Sequence, residues 1–217
     1  PASSVWVVDP KPSDWLQSAG VNLNADLPAA PAVVLVAVKP QMMADALPTL
    51  QAMGNGETLF VSVAAGTTIG YFESVLGGDT PVVRAMPNTP AAISKGITAI
   101  VGNAKAGSRS LDEAETLLSA VGEVVRLSEE AQIDAVTGVS GSGPAYVFHM
   151  IECMAAAGVA QGLPEELAMQ LAKATVAGAG ALAMQAEEDP AQLRVNVTSP
   201  NGTTQAALEV LMDETEG

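Results

Sequence analysis

The sequence predicts a doubly wound α/β domain with a parallel sheet over residues 1–128, followed by an all-helical domain over residues 129–217. Three observations carry this. Short β-branched runs alternate with helix-like segments through the first half, and uninterrupted apolar strands of that kind imply a parallel sheet covered on both faces. From Glu129 onward Gly and Pro punctuate helical patterns only. The composition is 48% apolar but only 3% aromatic, so the core is built from Ala, Val, Leu and Met, which suits closely packed helices.

In chain order the strand candidates are Val5–Val8, Val33–Val38, Leu59–Val63 and Val82–Ala85, then Ile97–Val101 and Val124–Leu127. Between them, Ser13–Ala19, Pro40–Met53, Thr67–Leu76 and Leu111–Val121 read as helices. Ser110 lies three residues before Glu113, the capping-box spacing, and predicts the start of the last of these. In the second half, helices are expected over Ala131–Val139, Ala145–Ala160, Glu165–Ala186 and Thr203–Met212, with a short turn at Gln192–Val195. Glu165 and Glu166 behind Pro164 place a proline and negative charge where a helix start favours them. No charge interrupts Ala174–Ala186; a helix apolar all round must be buried on every side, and partner subunits would supply the cover. A homodimer with interleaved helices is predicted, with Ala177, Gly178, Ala179 and Gly180 allowing close approach.

The net charge of −15, with nine Lys and Arg spread over the chain, argues against a nucleic-acid partner and against anionic membranes. One cysteine, Cys153, excludes an internal disulfide, and one histidine, His149, leaves no zinc constellation, so no metal is predicted. Both lie in an apolar run and read as packing residues. There is no signal-peptide pattern, and the apolar runs read as broken short of the roughly 20 residues of a membrane span, so a soluble cytoplasmic protein is expected.

Ligands of doubly wound folds bind beyond the carboxyl ends of the strands, which directs attention to Asp9-Pro10-Lys11, Lys39-Pro40-Gln41, Ala64-Ala65-Gly66-Thr67 and Met86-Pro87-Asn88-Thr89-Pro90. Asp9 could hold an adenosine ribose or simply end a strand in a turn, and Lys11 could meet a 2′-phosphate. A strand before Val5 and a G-x-G-x-x-G turn are both missing, so the sequence reads as a fragment beginning inside a domain. In the helical half, Ser140-Gly141-Ser142-Gly143-Pro144-Ala145-Tyr146 reads as a hinge whose serines could bond freed backbone groups or a ligand. Val197-Thr198-Ser199-Pro200-Asn201-Gly202-Thr203-Thr204 is a polar turn feeding a helix, either an ordinary capped start or a site where free amides and the helix dipole hold a small anion.

Taken in order, Ala37-Val38-Lys39-Pro40-Gln41, Arg84-Ala85-Met86-Pro87-Asn88-Thr89-Pro90, the Ser140–Tyr146 segment and the Val197–Thr204 turn resemble pyrroline-5-carboxylate reductase, the last enzyme of proline biosynthesis, over essentially the whole chain. The resemblance implies a Rossmann domain followed by a helical domain that dimerises by intertwining, with further assembly into a higher oligomer left open, and reduction of pyrroline-5-carboxylate by NADPH or NADH. It places Asn24 near the adenosine ribose, Ala37, Val38, Lys39 and Pro40 along the cofactor cleft, and Met86, Pro87 and Asn88 beside the nicotinamide. Ser199, Pro200, Asn201, Gly202, Thr203 and Thr204 would hold the substrate carboxylate, through backbone amides and the Thr204 hydroxyl. Glu187 of the partner subunit would lie near the imine nitrogen, with Glu188 adjacent and able to take its place. Lys39 reads more readily as an electrostatic or structural residue near the diphosphate than as a proton donor. The family usually carries glycine where Asn201 stands, and continues with further helix beyond the position of Gly217. The competing readings are a reductase of the β-hydroxyacid dehydrogenase type, for which Lys173 is the only lysine in the helical half, and a non-catalytic nucleotide-binding dimer.

Overall fold

Each apolar run of the first half forms a strand, but the strands divide between two sheets. β1 (Trp6–Val7) and β2 (Asn22–Leu23) pair in parallel and are joined through α1 (Asp14–Ser18), where the Ser13 hydroxyl accepts the Leu16 N–H at 3.2 Å. β2 has no counterpart in the apolar pattern, being two residues long with a polar residue first. β3 (Val33–Val36), β4 (Leu59–Ser62), β5 (Val82–Met86), β6 (Gly96–Gly102) and β7 (Gly122–Arg126) form a five-stranded sheet in that order. The computed structural model describes residues 1–213.

The α/β class holds, with one departure from the all-parallel expectation: β5 and β6 are antiparallel, Arg84 standing opposite Val101, while the other three pairings are parallel. The connection Pro87–Lys95 is the reason, since it is shorter than the dozen or more residues that a parallel crossover requires. One face of the sheet buries Val36, Phe60, Phe72, Leu76 and Val82; the other buries Leu59, Val61, Val83, Ile100 and Leu118. Removal of side chains of this size from water stabilises by about 1.5–3 kcal/mol each.

The helices between the strands of the larger sheet depart from expectation in two places. Pro40–Met53 is not one helix but a 3₁₀ turn (Pro40–Met42), α2 (Met43–Ala46) and a second 3₁₀ stretch (Leu47–Met53), broken where Pro48 lacks the N–H a continuing α-helix would use. α3 (Ile69–Leu76) begins at Thr68, whose hydroxyl accepts the Tyr71 N–H, and stops at Gly77 with φ +97°. α4 (Ser108–Leu118) starts earlier than Ser110, with Gly107 at its N-cap and no capping side chain. The expected capping box therefore does not form, because Glu113 turns to Arg109 at 3.1 Å across one helical turn.

α5 (Gln132–Val136) runs into a π-helical turn, Thr137–Gly141. The chain divides into two compact units, Pro1–Pro144 and Ala145–Gly217, whereas the sequence suggested a division at Ser128. Two side chains tie the intervening segment to the first unit: Ile133 is fully buried in its core, and Glu130 pairs with Arg84 of β5.

α6 (Gly143–Ala160), α7 (Glu165–Gln185), α8 (Pro190–Asn196) and α9 (Thr203–Leu211) complete the described chain. α6 ends in a Schellman arrangement, with Gly162 at φ +95° and the Leu163 N–H bonded to Gly158 O at 3.1 Å. A Cβ on Gly158 would lie 3.2 Å from the Ala168 Cβ, so glycine there lets α6 and α7 approach closely. Among the described residues of the second unit the buried apolar side chains are three alanines, Ala155, Ala168 and Ala172, while Phe148, Met150, Leu171, Leu182 and Met184 are exposed. His149 and Cys153, expected as packing residues, are also exposed in the chain: His149 Nδ1 lies 3.1 Å from Glu152 Oε2 and Nε2 lies 3.5 Å from Cys153 Sγ. α7 is long and apolar enough to cross a membrane by length and composition, which corrects the reading of its apolar run as too short; its alanines and glycines leave Lys173 as the one charge beyond its first turn.

Candidate active site

β4 lies between β3 and β5, so the loops after all three share one edge of the sheet, where a doubly wound fold binds its ligands. After β3, Ala37, Lys39 and Pro40 are exposed and Val38 is half-buried; Met86, the last residue of β5, and Pro87 and Asn88 after it are half-buried. Lys39 is extended, with its carbonyl accepting from Met42 N–H at 2.8 Å, and among the described residues its ammonium makes no salt bridge. An open cleft of about 330 Å³ adjoins these loops, lined by Pro40, Met43, Gly66, Thr67 and Tyr71 among others. Its walls mix small and polar residues, Gly66, Thr67 and Thr68, with the larger Pro40, Met43 and Tyr71.

The two-stranded sheet brings Asp9 and Asn24 together. Asn24, at φ +50°, accepts the Asp9 N–H through Oδ1 and donates through Nδ2 to Asp9 O, both at 2.9 Å. Asp9 Oδ1 accepts the Lys11 N–H at 2.8 Å, so the Asp9-Pro10-Lys11 stretch is the strand-ending turn that the sequence allowed. Each side chain still has hydrogen-bonding capacity to spare: a carboxamide carries two donors and two lone pairs, and the second Asp9 oxygen is not needed by the turn.

In the second unit, α8 begins at Asp189, whose carboxylate accepts the Gln192 N–H at 2.8 Å, and the Thr198 hydroxyl then donates to Arg194 O at 2.6 Å. The chain reverses through Ser199-Pro200-Asn201-Gly202, closed by Gly202 N–H to Ser199 O at 3.0 Å. Pro in the second position and Asn201 at φ +56° in the third are the marks of a type II turn. Gly202 is the N-cap of α9 and no side chain caps it, leaving the amides of Thr203, Thr204 and Gln205 without an acceptor in the first helical turn. The Gln205 side chain accepts the Asn201 N–H at 2.8 Å and donates to Glu209 at 3.0 Å. Thr203 and Thr204 are exposed, as is Glu187, which lies in the bend between α7 and α8.

Three polar residues take partners that had no specific signal in the sequence. Arg84, buried in β5, pairs with Glu130 Oε1 at 2.7 Å, and the same oxygen accepts the Ile69 N–H at the start of α3 at 2.8 Å. Asn103 Oδ1 accepts from Val82 and Ala106 N–H while its Nδ2 donates to Glu73 and Thr80. Asn88 Oδ1 accepts the Ile97 N–H at 3.0 Å and its Nδ2 donates to Ser140 O at 3.1 Å. The only available clue was a charged or amide residue inside or just after an apolar strand, which must find partners once buried. Among the described residues no group of three or more His, Cys, Asp or Glu side chains is arranged to hold a metal.

Known proteins match this architecture closely. Residues 130–216 match the family model described as pyrroline-5-carboxylate reductase dimerisation. A pyrroline-5-carboxylate reductase of Pseudomonas aeruginosa is 43% identical over 215 residues, covering 96% of this chain and 79% of that protein. The solved structure of a pyrroline-5-carboxylate reductase from Coxiella burnetii superposes with a TM-score of 0.88 at 35% identity, over 95% of this chain and 79% of the other. That of the Plasmodium falciparum pyrroline carboxylate reductase with NADP bound gives 0.85 at 26% identity, over 98% and 80%. Identity of this extent, over this much of a relative's length and with the same fold in both units, shows that the chain belongs to the pyrroline-5-carboxylate reductase family.

Proposed function

We propose that this protein reduces 1-pyrroline-5-carboxylate to L-proline with NADPH or NADH. The observation that carries the substrate half of this reading is the start of α9: a type II turn delivers an N-terminus whose amides no side chain caps. A carboxylate bound there would meet the Thr203 and Thr204 N–H groups, the Thr204 hydroxyl and the positive end of the helix dipole. Ser199, Pro200, Asn201 and Gly202 form the turn that aims them.

When bound, the reduced cofactor would supply a hydride for the imine carbon of the substrate. Ala37, Val38, Lys39 and Pro40 would line its cleft, with the Lys39 ammonium countering diphosphate charge; Asp9 and Asn24 would meet the adenosine ribose, and Met86 and Pro87 the nicotinamide face. The exposed strand-end loops and the adjoining cleft fit such a group. The substrate nitrogen can arrive protonated, so the protein's task is mainly to hold two rings in near-attack contact. Glu187 of the partner subunit is assigned to the iminium nitrogen, where its charge would favour the protonated form.

The assembly that this requires is a homodimer, supported by the match to a dimerisation domain and by the apolar side chains exposed along α6 and α7. We place the enzyme in the cytoplasm, with α7 covered by a second copy rather than by lipid. The test is the loss of NADPH or NADH absorbance on addition of pyrroline-5-carboxylate to the full-length protein, with proline as the product. Absence of turnover with both cofactors would overturn the reading.

A further inference from the structure

We infer that Asn88 is a positioning residue for hydride transfer, acting as a latch that holds the Met86-Pro87 loop against the π-helical turn at the entrance to α6. This rests on the reading of Met86 and Pro87 as the nicotinamide wall. The latch has a physical origin in the sequence Ser140-Gly141-Ser142-Gly143-Pro144. Pro144 has no N–H to give to the carbonyl four residues earlier, which belongs to Ser140, and Asn88 Nδ2 supplies a donor to that carbonyl at 3.1 Å. The turn itself is closed by Ser142 N–H to Thr137 O at 2.8 Å. The other end of the Asn88 carboxamide accepts the Ile97 N–H at 3.0 Å, so the side chain is fixed on β6 while it reaches the turn.

A second contact is apolar. A Cβ built on Gly141 would come within 2.8 Å of Met86 Cε, so the π-helical turn packs its glycine directly against the methionine that precedes Pro87. The loop is thus held at two points by one turn, through Asn88 to Ser140 O and through Met86 to Gly141. The carboxamide of Asn88 is thereby held at both ends within the protein, which fixes the loop that carries Met86 and Pro87.

Two substitutions separate latch from scaffold in the full-length enzyme. Asn88→Asp keeps the acceptor for Ile97 but turns an oxygen toward the Ser140 carbonyl; Gly141→Ala pushes on the Met86 methyl. Because misplacement of reacting groups by an ångström costs about 10²-fold in rate, Asn88→Asp is expected to lose about tenfold to a hundredfold in kcat, and Gly141→Ala, which meets only the movable end of the Met86 side chain, about twofold to fivefold. NADPH affinity by fluorescence titration and the KM for pyrroline-5-carboxylate should stay within about twofold. With NADPH deuterated at the transferred position, the isotope effect on kcat should rise, because hydride transfer becomes more nearly rate-limiting. A purely structural role would instead lower the folded, active fraction and leave the isotope effect as in the wild type. That outcome, or wild-type kcat in either variant, overturns the proposal. If Asn88→Asp does not fold, Gly141→Ala decides alone. A wild-type enzyme without pyrroline-5-carboxylate turnover would refute the underlying reaction as well, which a wild-type control distinguishes from failure of the latch alone.

Discussion

Thr204 stands second in α9, where its amide has no helical partner and its hydroxyl is exposed. A hydrogen bond to a charged group is worth about 1.5–3 kcal/mol, so Thr204→Ala is expected to raise the KM for pyrroline-5-carboxylate about tenfold or more. The KM for NADPH should hold within about twofold; equal effects on the two would contradict a carboxylate role. The turn in front of it was legible in the sequence because Pro200 and Asn201 each restrict the backbone in a known way, and Asn201 does take the left-handed conformation, at φ +56°. Arg84 was not legible. It sits inside the run Val82–Ala85, which reads as apolar strand, and its partner Glu130 lies 46 residues away, a separation that no local pattern encodes.

Glu130 shows how much of an element can hang on one carboxylate. Its Oε1 neutralises the guanidinium of β5 and caps the first amide of α3, and its position ahead of α5 ties that helix to the sheet. Removing one member of a buried pair strands the other charge; because the Glu130 side chain is 30% exposed, the full penalty is discounted to about 2–4 kcal/mol for Glu130→Ala. Urea unfolding should report that loss, and Glu130→Gln, which keeps an acceptor for the Ile69 N–H, should recover part of it. A Glu130→Ala protein as stable as the parent would show that solvent satisfies both groups. At this scale the sequence located almost every strand and helix, because continuous β-branched runs and helical periodicity are local properties. It missed where local signals compete. Glu113 could cap α4 or pair with Arg109, and Pro48 turned the expected Pro40–Met53 helix into short 3₁₀ and α pieces.

For the molecule as a whole, the two units solve burial differently. The first encloses Phe60, Phe72 and Leu47 completely, whereas among the described residues of the second the buried apolar side chains are three alanines. The all-round apolar character of α7 was visible in the sequence as the uncharged run Ala174–Ala186, and it allows two kinds of cover, lipid or protein. A spanning helix would present the same apolar surface to lipid along its length. α7 instead carries Glu165 and Glu166 in its first turn and Lys173 further in, and lies within the segment that matches a dimerisation domain. A second copy is therefore the expected cover, and Leu171 and Leu182, exposed and about three helical turns apart on one side of α7, are suited to test it. Sedimentation of the wild type at micromolar concentration should give a dimer without detergent. The double substitution Leu171→Glu and Leu182→Glu places two carboxylates where apolar contact is expected, so it should yield monomer or a large loss of soluble folded protein. A wild type that sediments as a stable folded monomer, or one that stays soluble only in detergent, would remove second-copy cover as the explanation for α7.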